Sequence, residues 1–122
     1  MATLTTHLLD SVNGTHAAGM AVTLHRIDSA GGRTLLFSGV TDAGGRLRET
    51  VALAGADAGM TCELVFQVAD YFARHPASMT TAVGNAGILR EAVFRFSMPD
   101  PDGAYHIPMM VAPNSYSVWC SS

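Results

Sequence analysis

The chain has 122 residues, of which 48% are hydrophobic and only 14% charged, and 7 Lys and Arg against 10 Asp and Glu leave a net charge of −3. Such a length suits one domain, residues 1–122, and excludes two. Surface scaling gives roughly 18,600 Å² for the unfolded chain and about 6,300 Å² folded, enough for a core without staples.

A typical chain is about 25% charged, so a surface this poor in charge predicts an oligomer. No basic cluster exists to neutralise phosphates, which argues against nucleic acid and against polybasic membrane anchoring. No apolar run reaches the ~20 residues needed to cross a bilayer. The opening residues Met1 to His7 lack the basic and apolar regions of a signal peptide. Cys62 and Cys120 stand apart without a Cys-x-x-Cys pairing, which reads as two free thiols in a reducing compartment. A cytoplasmic protein is expected.

Along the chain, Thr5-Thr6-His7-Leu8-Leu9-Asp10 places an imidazole among strand residues, and Asn13-Gly14 follows as a turn. Between Met20 and Ile27, Val22 and Leu24 alternate with Thr23 and His25. Gly31-Gly32 and Gly44-Gly45 mark further turns. From Thr61 to Val68 the alternation is clearest: Cys62, Leu64, Phe66 and Val68 share one face, and Thr61, Glu63 and Gln67 the other. Residues Ala69 to His75 suggest one short helix, ended by Pro76. Ala92, Phe94, Phe96 and Met98 alternate with Arg95 and Ser97. Tyr105, Ile107, Met109 and Val111 then alternate with His106, Pro108 and Met110. Pro113-Asn114 turns the chain into a last strand, Tyr116 to Cys120. Strands punctuated this often predict an all-β sandwich.

Several chemistries lack their residues. No glycine-rich loop joins a strand to a helix, and no Gly-x-Ser-x-Gly elbow occurs. The histidines His7, His16, His25, His75 and His106 show neither His-x-His nor His-x-x-x-His spacing, so no metal site is expected. A histidine on a strand is more often a surface or packing residue than a catalyst, and His16, His25 and His75 take that reading. By itself Arg46, after Gly44-Gly45, is a solvated turn residue.

Taken together, however, the segments resemble the 5-hydroxyisourate hydrolases, the transthyretin-like enzymes of urate breakdown. Thr6-His7-Leu8-Leu9-Asp10 looks like the family's opening Thr-His-Val-Leu-Asp, and Ala17 to Val22 matches its first strand. Val40 to Arg46 matches its Gly-Arg turn, Asp70-Tyr71-Phe72 its helix, and Tyr105-His106-Ile107-Pro108 with Ser115-Tyr116-Ser117 its closing segments. The likeness covers essentially the whole chain. It implies a transthyretin-like two-sheet sandwich of about eight strands with one short helix. It also implies a homotetramer, a dimer of dimers with its sites at the dimer–dimer interface. His7, Arg46 and His106 fall on the family's catalytic trio and Ser122 on its terminal serine. The implied reaction is hydrolysis of the N1–C6 cyclic amide bond of 5-hydroxyisourate, with no metal or cofactor. Imidazole suits water activation at neutral pH, and a guanidinium beside it both favours neutral imidazole and stabilises an oxyanion. His106 is favoured as base with His7 as partner, although the sequence leaves their roles open.

The chain departs from the family at its end. Where the family closes in Tyr-Arg-Gly-Ser, this sequence has Trp119, Cys120, Ser121 and Ser122, and Ala104 replaces the first histidine of His-Tyr-His. Losing the arginine removes a multi-donor contact to substrate carbonyls. Three readings follow. In the first, Trp119 and Cys120 line a site for an N-methylated substrate, trimethyl-5-hydroxyisourate, as in caffeine breakdown by oxidation at C8. In the second, the substrate is plain 5-hydroxyisourate and the tail tunes affinity. In the third, the domain is a non-catalytic carrier. Cys120 is read as a small residue making room for a methyl group rather than as a nucleophile.

Overall fold

Period-two patterning becomes nine strands among the residues the computed structural model describes, 1–75 and 88–122. These are β1 (Ala2–Asp10), β2 (Thr15–His16), β3 (Ala21–Ile27), β4 (Arg33–Val40), β5 (Arg46–Val51), β6 (Thr61–Phe66), β7 (Ala92–Phe96), β8 (Ala104–Ala112) and β9 (Ser115–Val118). One helix, α1 (Val68–Arg74), follows β6. The expected two-sheet sandwich is present. The ninth strand is β2, two residues long, paired only with Leu9 and Asp10.

The first sheet runs β2-β1-β8-β9, with β5 also on β1; the second runs β4-β3-β6-β7. All described pairings are antiparallel except β1 with β8. Leu4, Leu8, Ile107, Met109 and Val111 of one sheet face Val22, Leu24, Leu64 and Phe66 of the other, all buried. The alternate residues of β1, namely Thr3, Thr5, His7 and Leu9, therefore lie on the outer face of the first sheet. No helix among the described residues is long and apolar enough to cross a membrane. Cys62 is buried, Cys120 is exposed, and both are free thiols.

Three expectations need correction. The helix begins one residue earlier and ends at Arg74, because Val68, Tyr71 and Phe72 form its buried stripe. Pro76, expected to end it, lies outside the described residues. Glu63, assigned to the polar face of β6, is buried. β6 is central in its sheet, and Arg33 and Arg95 from either side close over the carboxylate at 3.2 and 2.8 Å. Those guanidinium bonds, Arg33's above all, hold the Glu63 carboxyl below its ordinary value. The last strand ends at Val118 rather than Cys120. Val118 still pairs with Met109, but the next residue, Trp119, faces Pro108, which has no N–H to donate, so at that pair only the Trp119 N–H bond to the Pro108 carbonyl oxygen forms, at 3.3 Å.

The helix is tied to the first sheet through a buried carboxylate. Asp10, at the end of β1, accepts from the amides of Val12 and Asn13 and from the Asn13 side chain. The Tyr71 hydroxyl donates to the same carboxylate at 2.9 Å. Burial, reinforced by that anion, pushes the phenol well above its ordinary pKa. Tyr71→Phe leaves Asp10 short of one donor, and urea denaturation should show a loss of about 1–3 kcal/mol with an unchanged m-value.

Candidate active site

The register of three strands turns the outer face of the first sheet into a grid. Arg46 on β5 is the cross-strand partner of His7 on β1, and His7 pairs in turn with Pro108 on β8. Trp119 continues that row through its bond to Pro108. The neighbouring row reads Arg48, Thr5, His106 and Ser121, the last two joined by reciprocal backbone bonds of 2.9 Å. His7 and His106 are thus diagonal neighbours, a spacing on the order of 7 Å that a small planar ring can span.

Each member has a local reason for its place. Arg46 leaves a tight turn in which the Asp42 carboxylate accepts from the amides of Gly44 and Arg46, both at 2.9 Å. Those bonds, chiefly the one from Arg46, hold the Asp42 carboxyl below its ordinary value. Gly45 takes φ of +72°, and a Cβ there would collide with the Leu8 carbonyl oxygen, so only glycine brings β5 this close to β1. His106 is fixed from its Nδ1, which lies 2.8 Å from the Thr5 hydroxyl. That hydroxyl also reaches the Tyr105 carbonyl oxygen at 3.4 Å. When its hydrogen goes to the carbonyl, the hydroxyl oxygen accepts from Nδ1–H and Nε2 of His106 carries the lone pair. When its hydrogen goes to Nδ1, Nε2 becomes the donor.

His7 is held below the ordinary imidazole value, by burial first and then by the positive field of Arg46. Its Nε2 lies 3.2 Å from Nδ1 of His16, which is exposed, as a surface histidine is expected to be. A cleft beside His106 is lined by Thr5, Arg48, Ser121 and Ser122, among others. Among the described residues no group of three or more His, Cys, Asp or Glu is placed to hold a metal ion.

The predicted residues therefore separate. His7, Arg46, His106 and Trp119 share the two rows, and Ser122 borders the cleft. Cys120 does not join them, because the register sets it opposite Ile107, on the alternate parity, and it is exposed at the edge of the sheet. Sequence reasoning missed Thr5, Arg48, Ser121 and His16. Alternation from His7 and Arg46 could have found Thr5 and Arg48, which stand two positions away and so on the same face. The pairing of His16 had no such signal.

The family model for the HIUase/transthyretin family matches residues 4–120. The chain belongs to that family. It is 38% identical over 120 residues to a 5-hydroxyisourate hydrolase of Halalkalibacterium halodurans, covering 98% of this chain and 97% of that one. Among solved structures it resembles the 5-hydroxyisourate hydrolase of Klebsiella pneumoniae at 27% identity and a TM-score of 0.73, over 98% and 99% of the two chains. Transthyretin from Sparus aurata shares the fold, with a TM-score of 0.78 at 23% identity over 97% and 95% of the chains. The likeness that the motifs carried thus extends to the full length of the domain.

Because the depression of His7 comes from burial and from Arg46, removing the cation undoes part of it. In an NMR titration the midpoint of His7 should lie below 6.5 and rise toward it in Arg46→Met. If neutral His7 is the working form, the acid limb of any rate profile moves up in pH with it.

Proposed function

We propose that this domain is a cyclic amide hydrolase that opens the N1–C6 bond of a 5-hydroxyisourate-type purine oxidation product, with N-methylated trimethyl-5-hydroxyisourate as its preferred substrate. The observation that carries the reading is the grid itself, which presents two imidazoles and two guanidiniums on one open sheet face. A carrier has no need of that set. The relatives' names support the reaction class, since the Halalkalibacterium halodurans protein is named a 5-hydroxyisourate hydrolase.

In this mechanism the substrate ring lies across the two rows. His106, oriented by Thr5, takes a proton from water as its oxygen attacks C6. Arg46 and Arg48 flank the carbonyl and stabilise the oxyanion. Collapse breaks N1–C6, the departing N1 takes the proton that His106 holds, and C6 becomes a carboxylic acid that ionises to carboxylate by losing its proton to solvent. His7, whose pKa is lowered by burial and by Arg46, orients the ring and is the second proton-carrying group.

The row of His7 ends in Pro108 and Trp119, the latter 51% exposed. An aromatic face and a proline offer contact to methyl groups without leaving a polar atom unpaired, which supports the methylated substrate. A second reading, plain 5-hydroxyisourate, draws on Arg48. Its guanidinium stands in the row of His106 and can meet the carbonyls that the family's tail arginine would have met. The reading extends to a homotetramer in the cytoplasm. Exposed Met110 and Trp119 on the same face, at 42% and 51%, and the low charge content support a second copy closing over the site.

The deciding experiment follows by ultraviolet absorbance the decay of freshly generated trimethyl-5-hydroxyisourate and 5-hydroxyisourate, with and without protein. Faster decay of the methylated compound is expected. Preference for the plain compound would leave the second reading, and no acceleration of either would leave the carrier. His106→Ala should slow turnover about 10²–10⁴-fold. Arg48→Met should cost about 10–100-fold in kcat/KM, more on the plain substrate than on the methylated one.

A further inference from the structure

Two contacts meet at the Thr5 hydroxyl on the outer face of the first sheet. Its oxygen lies 2.8 Å from Nδ1 of His106 and 3.4 Å from the Tyr105 carbonyl oxygen. A carbonyl oxygen can only accept, so the second contact is a hydrogen bond only when the hydroxyl gives it its one hydrogen. The hydroxyl oxygen must then accept from Nδ1, which has to carry a hydrogen of its own. Of the two neutral tautomers, only the Nδ1–H form makes both contacts hydrogen bonds at once.

Both partners of the hydroxyl are held in place. The backbone N–H and carbonyl of His106 are taken by Ser121, each at 2.9 Å. The Tyr105 phenol accepts from the Asp100 amide at 2.9 Å and donates to the Asp100 carbonyl oxygen at 3.0 Å, which anchors its own residue. Thr5 is half-buried on β1, and its branched Cβ restricts χ1. Its cross-strand neighbour is Arg48. A carboxylate in place of Thr5 would draw that guanidinium onto itself. An uncharged hydroxyl leaves it to the cleft that Arg48, His106 and Ser122 help to line.

We propose that Thr5 is a positioning residue that fixes the Nδ1–H tautomer of His106 and so keeps the lone pair on Nε2, where the hydrolysis needs it. The proposal rests on the hydrolase reading with His106 as base. The protons balance on one nitrogen. Nε2 takes a proton from water as the new C6–O bond forms, then gives that proton to N1 as N1–C6 breaks. Nδ1–H stays bonded to Thr5 throughout, so each turnover ends in the tautomer that began it. Without the hydroxyl, the neutral ring takes the Nε2–H form that free histidine prefers. That form presents a hydrogen where water must be deprotonated.

The test has two arms, both on the full-length protein. In the first, ¹⁵N-edited NMR reads the tautomer of His106 without substrate, at a pH where the imidazoles are neutral. Nδ1–H is expected in wild type and in Thr5→Ser, and Nε2–H in Thr5→Val. A wild type in the Nε2–H form, or a Thr5→Val protein still in the Nδ1–H form, overturns the proposal. The second arm measures kcat and KM on whichever of trimethyl-5-hydroxyisourate and 5-hydroxyisourate the wild type hydrolyses faster. Thr5→Val, which keeps the shape of threonine and suits a strand, should lose about 10–100-fold in kcat with little change in KM. Thr5→Ser should recover most of that loss. A Thr5→Val protein as fast as wild type, or a Thr5→Ser protein as slow as Thr5→Val, overturns the positioning role. The two failures stay distinct, because a wild type that accelerates neither compound sinks the hydrolase reading while the NMR arm still decides whether Thr5 sets the tautomer.

Discussion

The parallel pairing of β1 with β8 is the constraint on which the rest depends. It sets Thr5 beside His106 and Thr6 beside Ile107, residues separated by 101 positions. Inside, the Thr6 hydroxyl bonds the Ile107 carbonyl oxygen at 2.6 Å; outside, the Thr5 hydroxyl meets His106. Because side chains alternate, a slip of one residue would turn His106 toward the core and bring Ile107 out. The apolar residues of β8, fully buried at Ile107, Met109 and Val111, forbid that slip energetically. Core packing thus fixes the geometry of the outer face, and buried Tyr105 meets it directly through the bond from the Thr5 hydroxyl to its carbonyl oxygen.

On the outer face the consequence is electrostatic. Two guanidiniums from β5, at alternating positions, border two imidazoles from β1 and β8, and no described carboxylate shares the two rows with them. Asp42 lies nearby, but its oxygen is spent on the backbone amides of the turn that launches β5. Burial and the positive field of Arg46 hold His7 below the ordinary imidazole value. The same rows end in Pro108 and Trp119, an apolar border beside the polar side chains.

Much of this was legible in the chain. The alternation of Val22 and Leu24 with Thr23 and His25, of Leu64 and Phe66 with Glu63 and Gln67, and of Ile107 and Met109 with His106 and Pro108 announced strands, and the glycine pairs announced the turns between them. The resemblance of Thr6 to Asp10 and of Tyr105 to Pro108 to a known family singled out His7 and His106. Less legible were features set by neighbours. Glu63 reads as a solvent-facing residue until Arg33 and Arg95 close over it. Cys120 reads as a cleft residue until the register places it opposite Ile107. His16 reads as a surface or packing histidine and is exposed, but its contact with His7 exists only because β2 folds back on β1.

Residue types, strand periodicity and turn positions were determined by the sequence alone, because each depends on contacts within a few residues. Which strands became neighbours, in what direction and in what register was decided only by the tertiary structure. Those choices depend on burying one face of every strand at once, and no local stretch carries that information. Two imidazoles and two arginines are chemically ordinary when read one at a time. They become a site because packing the opposite face leaves them one arrangement.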